Sequence, residues 1–260
     1  MDISIIIPVY NSEKILPKLI DEIIFHINKN FSTSEYEIIL INDFSIDNSW
    51  QFIKDLSVKY SVIKGLNLLK NYGQHNAIMA GLNVCSGNKI ITMDDDYQHP
   101  PSSLSDFLKQ LDKYDACYTH YLNRKHNFWK KLLSNVNNLI SSFLLNKPLH
   151  VYMSSFRGFS KKVLIEVIKY KSNYVYLDGL IIKNAKTIKM IQIEHGKRLS
   201  GTSNYNFKKL IILWASMVLS KNILPLRINS LFLLFFKILT KLIIKYEPNK
   251  EQYFIIEKTF

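Results

Sequence analysis

Three apolar runs in this chain end the same way. "ISIIIPVYN", "YEIILIND" and "IITMDDD" each pass from β-branched and aliphatic residues directly into polar ones. Short apolar runs rich in Ile and Val read as buried strands. Between them lie helix-period segments. "KILPKLIDEIIFHINK" puts Ile15, Leu19, Ile20, Ile23, Ile24 and Ile27 on one face, with Pro17 in the first turn. "DNSWQFIKDLSVKY" and "GQHNAIMAGLNVC" read as further helices, and "SVIKGLNLL" as a third strand. Strands separated by single helices imply a parallel sheet with right-handed crossovers. In such sheets, ligands bind beyond the carboxyl ends of the strands. Those ends carry Tyr10 and Asn11, Asp43, and Asp94 to Asp96, so polar groups from three strands converge on one rim.

In the second half, "FWKKLLSNVNNLISSFLL" places Phe128, Leu132, Leu133, Val136, Leu139, Ile140 and Phe143 at helical spacing, beside Lys130 and Lys131. "SSFRGFSKKVLIEVIKY" reads as a strand or turn entering a helix, and "IKMIQIE" as a strand running into a basic loop. A soft boundary near Lys125 divides residues 1–124 from residues 125–228. A tail, 229–260, follows.

The triple aspartate poses a charge problem. On a strand, Asp94 and Asp96 point the same way and Asp95 the other. Two hard carboxylates on one side suit Mg²⁺ or Mn²⁺, which complete their shell with water and substrate phosphates. Gln98 adds an amide oxygen, and Pro100 and Pro101 stiffen the exit. Asp95 is left for a hydrogen bond to the loop or to a ribose. Asp43 is read as accepting from a nucleobase N–H, and Asp47 as a cap for the next helix. Lys70 and the backbone around Gly73 are placed to meet phosphate oxygens at a helix N-terminus, although no Walker A pattern is present. His75 is read as a structural histidine.

Net charge is +13, carried mostly by lysine. Such a surface attracts anions. The charge is diffuse and no nucleic-acid recognition motif is present, so nucleic acid is not the expected partner. Cys85 and Cys117 read as core fillers in a reducing compartment. No signal peptide is expected at the N-terminus. No segment reaches the roughly 20 apolar residues of a membrane span. Leu210 to Leu219 stops at Ser220 and Lys221, and Leu231 to Ile244 is broken by Lys237 and Lys241. The expectation is a helix lying in the interface with snorkelling lysines, on a protein held peripherally at the cytoplasmic, inner face of a membrane.

"IIIPVYNSEKIL", "INDFSIDNS", "LKNYGQHNAIMAGL" and "MDDDYQHPP" together resemble the successive motifs of family 2 glycosyltransferases with a GT-A fold. The last is most similar to the polyprenyl-phosphate and dolichyl-phosphate sugar transferases, as are "SSFRGFSKKVL" and "HGKRLSGTSNYNFKKL". The resemblance covers roughly residues 1 to 228. It implies an α/β fold with a mainly parallel sheet and C-terminal amphipathic, membrane-facing helices. It also implies a UDP- or GDP-sugar as donor, and as acceptor a polyprenyl phosphate or a lipid-linked glycan at an anionic membrane surface. A homo-oligomer is left open.

Carried over by position, the resemblance implies Pro8, Tyr10 and Glu13 in the nucleotide pocket, with Asp43 on the base. Asp94 and Asp96 serve ribose, metal and diphosphate, with Asp96 catalytic and Gln98 completing the metal shell. Arg124, Lys131, Arg157 and Arg198 gather the acceptor phosphate and the leaving diphosphate. Ser203 and Tyr205 belong to a mobile loop over the site. Two positions depart from the family pattern: Asn204 replaces a lysine, and Ser155, beside the acceptor, replaces an aspartate. A lipid phosphate is already anionic and needs no strong base, whereas a sugar hydroxyl needs one. Asp178 is the acid in the second half placed for that alternative. A non-catalytic nucleotide-sugar binding module is the third reading, and intact Asp94, Asp96 and Gln98 speak against it.

Overall fold

The computed structural model describes residues 1–31, 35–122, 128–171, 175–194 and 256–259. Among them, one eight-stranded sheet has the order β7-β5-β6-β4-β1-β2-β3-β8. Its strands are β1 (Ile3–Val9), β2 (Tyr36–Asn42), β3 (Ile63–Leu68), β4 (Lys89–Thr92), β5 (Ala116–Leu122), β6 (Arg157–Ser160), β7 (Ile188–Glu194) and β8 (Ile256–Thr259). The helices are α1 (Leu16–Asn30), α2 (Ser49–Lys59), α3 (Gln74–Val84), α4 (Leu104–Gln110), α5 (Phe128–Leu145), α6 (Lys161–Val167) and α7 (Leu177–Asn184).

The expected parallel sheet is present: β1 pairs in parallel with β2 and β4, β2 with β3, and β5 with β7. Strand β6 runs antiparallel to both β4 and β5, and β8 antiparallel to β3. The unbroken apolar runs follow from burial on both faces of a parallel sheet. All seven residues of β1 are buried. Ile3, Ile5, Ile7 and Val9 pack with α1 and α4 on one side, and Ile6 packs with α3 on the other. α3 lies so close to the sheet that a Cβ on Gly81 would come within 2.8 Å of Ile6 and Ile41.

Pro8 sits in this central strand without cost. The Ile6 carbonyl accepts from Met93 on the β4 side, whereas Val9 accepts from Asp43 on the β2 side. Pro8 has the parity of Ile6, and β4 pairs with β1 only as far as Ile6. The missing proline donor therefore falls beyond the end of the β4 ladder.

α1 matches its expected face, except that Ile24 is only partly buried. α5 matches its expected length, but Leu139 and Phe143 point outward and Leu144 and Leu145 enter the core. Strand β5 escapes the sequence reading because "ACYTHYL" mixes small, polar and aromatic residues. β8 is an addition too, paired across the β3 edge. No described helix is long and apolar enough to cross a membrane. The two stretches from Leu210 and from Leu231 lie outside the described residues.

At the opposite end of the strands from the polar rim, Glu37 is buried at 1% exposure. It accepts from Ser4 Oγ at 2.6 Å, Ser86 N at 2.6 Å, Ser86 Oγ at 2.9 Å and Lys64 Nζ at 2.7 Å. Burial pushes its carboxyl up, but these donors together outweigh burial and hold it below its ordinary value. A depressed carboxyl contributes stability that is present above its unfolded pKa and lost as pH falls through the folded one. Glu37→Gln should lower stability by about 2 kcal/mol at neutral pH. Urea unfolding of both proteins should show that difference shrinking below about pH 4.

Candidate active site

The carboxyl ends of β1, β2 and β4 form one rim, and hydrogen bonds running from strand to strand build it. Asp43 follows β2 and is 4% exposed. Its two carboxylate oxygens accept from Tyr72 N at 2.7 Å and Gly73 N at 2.9 Å, in the loop before α3. Burial pushes its carboxyl up, and the two amides partly offset this. Gly73 has φ +83, a conformation glycine adopts without strain, and its carbonyl accepts from Asn76 and Ala77 as α3 begins. Lys70 is exposed nearby, with its ammonium 5.2 Å from the centre of the Tyr72 ring.

The three aspartates lie beyond β4, which ends at Thr92, so the strand period does not itself orient them. They diverge nonetheless. Asp95 turns to the β1 loop, where it accepts from Tyr10 N at 3.1 Å and from Ser12 Oγ. Burial drives its carboxyl up to about 6. The bond to the loop expected of Asp95 is present. Asp94 turns the other way and accepts from Ser155 Oγ at 2.6 Å, His99 Nε2 at 3.1 Å and Gln74 Nε2. Burial works against its charge, but His99, Ser155 and Arg157 outweigh burial and lower its pKa. Asp96 accepts from Gln98 N at 3.0 Å, closing a turn whose next residue, Tyr97, has φ +66.

That turn brings His99 back. Single ligand atoms of Asp94, Asp96 and His99 all lie within 4.8 Å of one another. Two hard oxygens and an imidazole nitrogen fit a small divalent cation. Sequence reasoning gave His99 no role. Its signal was the spacing: five residues after Asp94, across a tight turn. Gln98 donates its backbone amide to Asp96.

A second chain of contacts runs behind this cluster. Thr92 Oγ1 donates to Ser155 O at 3.0 Å, and Arg157 Nε donates to Thr92 Oγ1 at 3.1 Å. Arg157 Nη1 pairs with Asp178 at the start of α7. Arg157 is 2% exposed and Asp178 8%. Arg157, expected at the acceptor phosphate, has its guanidinium buried and engaged by Thr92 and Asp178. Asp178, the candidate base, has its carboxylate paired with Arg157. Ser155 contacts Asp94 directly. His75 is structural as expected, its Nδ1 accepting from Leu177 N at 3.2 Å.

Pro8 is a buried strand residue, while Tyr10 stands half-exposed on the rim. Glu13 Oε2 accepts from Asn48 N and Nδ2, both at 3.0 Å, so it fastens the β1 loop to the loop after β2. Asp47, one residue ahead of the N-cap Asn48, accepts from Ser49 N at the start of α2 and also from Glu13 N. Lys131 lies in α5, but its side chain is outside the described set. Arg124, Arg198, Ser203 and Tyr205 lie outside the described residues.

Comparison with known proteins agrees with this architecture. The family model described as glycosyl transferase family 2 matches residues 4–168. The chain is 30% identical over 230 residues to the undecaprenyl-phosphate 4-deoxy-4-formamido-L-arabinose transferase of Proteus mirabilis (strain HI4320), covering 88% of this chain and 70% of that protein. It is 32% identical over 231 residues to the transferase of the same name in Yersinia pestis (strain Pestoides F), with the same coverage. Among solved structures, glucosyl-3-phosphoglycerate synthase from Mycobacterium tuberculosis, in complex with Mn²⁺, UDP and phosphoglyceric acid, superposes with a TM-score of 0.61. That match has 15% identity and covers 86% of this chain and 80% of that one, a likeness of fold, here GT-A. The rim of carboxylates beyond a parallel sheet, the matched family model and the two relatives converge, and the chain belongs to glycosyl transferase family 2.

Proposed function

We propose that this glycosyltransferase moves a sugar from a nucleotide-diphosphate donor, a UDP- or GDP-sugar, to a polyprenyl phosphate, with inversion at the anomeric carbon. The carrying observation is the Asp94, Asp96 and His99 cluster at the end of β4, in a chain similar along most of its length to undecaprenyl-phosphate sugar transferases. The glucosyl-3-phosphoglycerate synthase structure of similar fold holds Mn²⁺ and UDP, which supports a divalent metal and a nucleotide donor here.

Asp94 and Asp96, with His99 or Gln98, hold Mg²⁺ or Mn²⁺ in this reading. Bound there, the ion neutralises the donor diphosphate and makes it a better leaving group. Ser155, His99 and Gln74 fix Asp94 before substrate arrives, which removes a reorganisation cost from the reaction. Asp95 braces the β1 loop, where Tyr10 meets the nucleotide, and Asp43 accepts a hydrogen bond from a base N–H. Lys70 meets diphosphate oxygens. Arg124, Lys131 and Arg198 gather the phosphates, and Ser203 and Tyr205 close over them. The acceptor phosphate oxygen forms the new bond to the anomeric carbon as the bond to the diphosphate oxygen breaks on the opposite face. No base is required, because that oxygen is already anionic.

The buried pairing of Asp178 with Arg157 favours this acceptor over a sugar hydroxyl, since it engages the second-half acid that the sequence puts forward as a base. Leu139, Phe143 and Leu149 are exposed apolar side chains on and just after α5. They support a face turned to an anionic membrane surface, with residues 1–228 as the catalytic domain and 229–260 as the associated tail.

The test is an assay with membranes, Mn²⁺ or Mg²⁺ and labelled nucleotide sugars. A mild-acid-labile lipid-linked product is expected; failure to turn over any donor would sink the enzyme reading. Asp96→Ala should abolish turnover without lowering the unfolding midpoint, and full activity under metal-limited conditions would refute the metal role. Asp178→Asn should instead cost about 3 kcal/mol of stability, because it strands a buried guanidinium. Calorimetry measures this, and an unchanged melting temperature with lost turnover would restore Asp178 as a base.

A further inference from the structure

Phe44 occupies a backbone conformation that an aromatic residue rarely takes. It has φ +63, just past the carboxyl end of β2. Non-glycine residues with φ between +20° and +160° are strained, least so Asn and Asp. Asn11, with φ +55, is of the tolerant type. Tyr97 is the other aromatic case, and its ring is packed against the core on the α1 side. Phe44 has no such return: its ring is 51% exposed and belongs to neither core cluster.

The turn holds this strain by pinning the residues on either side. Asn71 Nδ2 donates to Asp43 O at 3.1 Å, and Ser45 N donates to Asn42 Oδ1 at 3.2 Å. Asn11 N donates to Ser45 Oγ at 3.0 Å, and Ile46 N donates to Asn11 Oδ1 at 2.9 Å. Glycine would serve this backbone better, so neither packing nor the turn accounts for the ring. Strain kept by surrounding bonds at a strand end points to function. Val9 is paired with Asn42, which sets Tyr10 and Asn11 level with Asp43 and Phe44. Tyr10, Phe44 and Ile46 are all at least half-exposed there. Flat apolar groups on a rim beside a nucleotide site match the face of a nucleobase.

We propose that Phe44 is a stacking platform for the base of the donor's nucleoside diphosphate, at the rim between β1 and β2. This rests on the donor reading given above. The test is equilibrium binding of UDP, GDP, ADP, CDP and dTDP, with Mn²⁺, to the full chain and to Phe44→Gly and Phe44→Tyr. Pyrophosphate with Mn²⁺ serves as the control that carries no base. The nucleotide bound most tightly should weaken at least about fivefold in Phe44→Gly, the lower end of base–aromatic stacking. Phe44→Tyr should retain affinity. Pyrophosphate binding should not change, and the unfolding midpoint of Phe44→Gly should stay level or rise as strain is released. A nucleotide loss under fivefold, or an equal loss for pyrophosphate, overturns the inference and leaves the donor reading standing. A wild-type chain that binds none of the five nucleotides overturns both.

Discussion

Where parallel strands give way to loops, backbone amides lose the ladder, and something else must satisfy them. In this protein, carboxylates accept from the loops around the rim, each reaching to a neighbouring segment. Asp43 takes the amides that open onto α3, Asp95 takes the β1 loop, and Asp94 takes Ser155 ahead of β6. Glu13 and Asp47 tie the loops after β1 and β2 to each other in the same manner. The polar rim is thus a bonded structure before any ligand arrives, and the site depends on it.

The reversal of the sheet at β6 is the second support. Strand β6 runs against β4, so its first residue, Arg157, lies level with Thr92, the last of β4. That register lets one guanidinium reach Thr92 and Asp178 together, linking α7 to the base of the turn that carries Asp94 and Asp96. A buried guanidinium is tolerated because it is paired and hydrogen-bonded. The second half of the chain therefore positions Asp94 from behind, through Ser155.

Much of this was legible early. Continuous Ile-rich runs, one helix between each pair, and Pro17 in the first turn of α1 lead directly to a parallel sheet with its polar groups at one end. The separation of Asp95 from its two neighbours was also anticipated, though by an argument that does not apply, since β4 stops before them. What orients them is a turn at Tyr97 and the partners available on either side. Strand β5 and the contacts of Ser155 and Arg157 were not legible, because each depends on residues far away in sequence, whereas His99 had a signal in its spacing from Asp94.

The sequence by itself determined the strand and helix order, the end of the sheet where chemistry gathers, and a donor set suited to a divalent cation. These follow from local hydrophobic periodicity and from the positions where apolar runs give way to carboxylates. Only the tertiary structure decided that Arg157 and Asp178 pair with each other in the interior. It alone brought His99 beside the two aspartates and left Phe44 strained and outward. Charge pairing, burial and backbone strain depend on what lies across space, and the spacing of residues along the chain does not encode that.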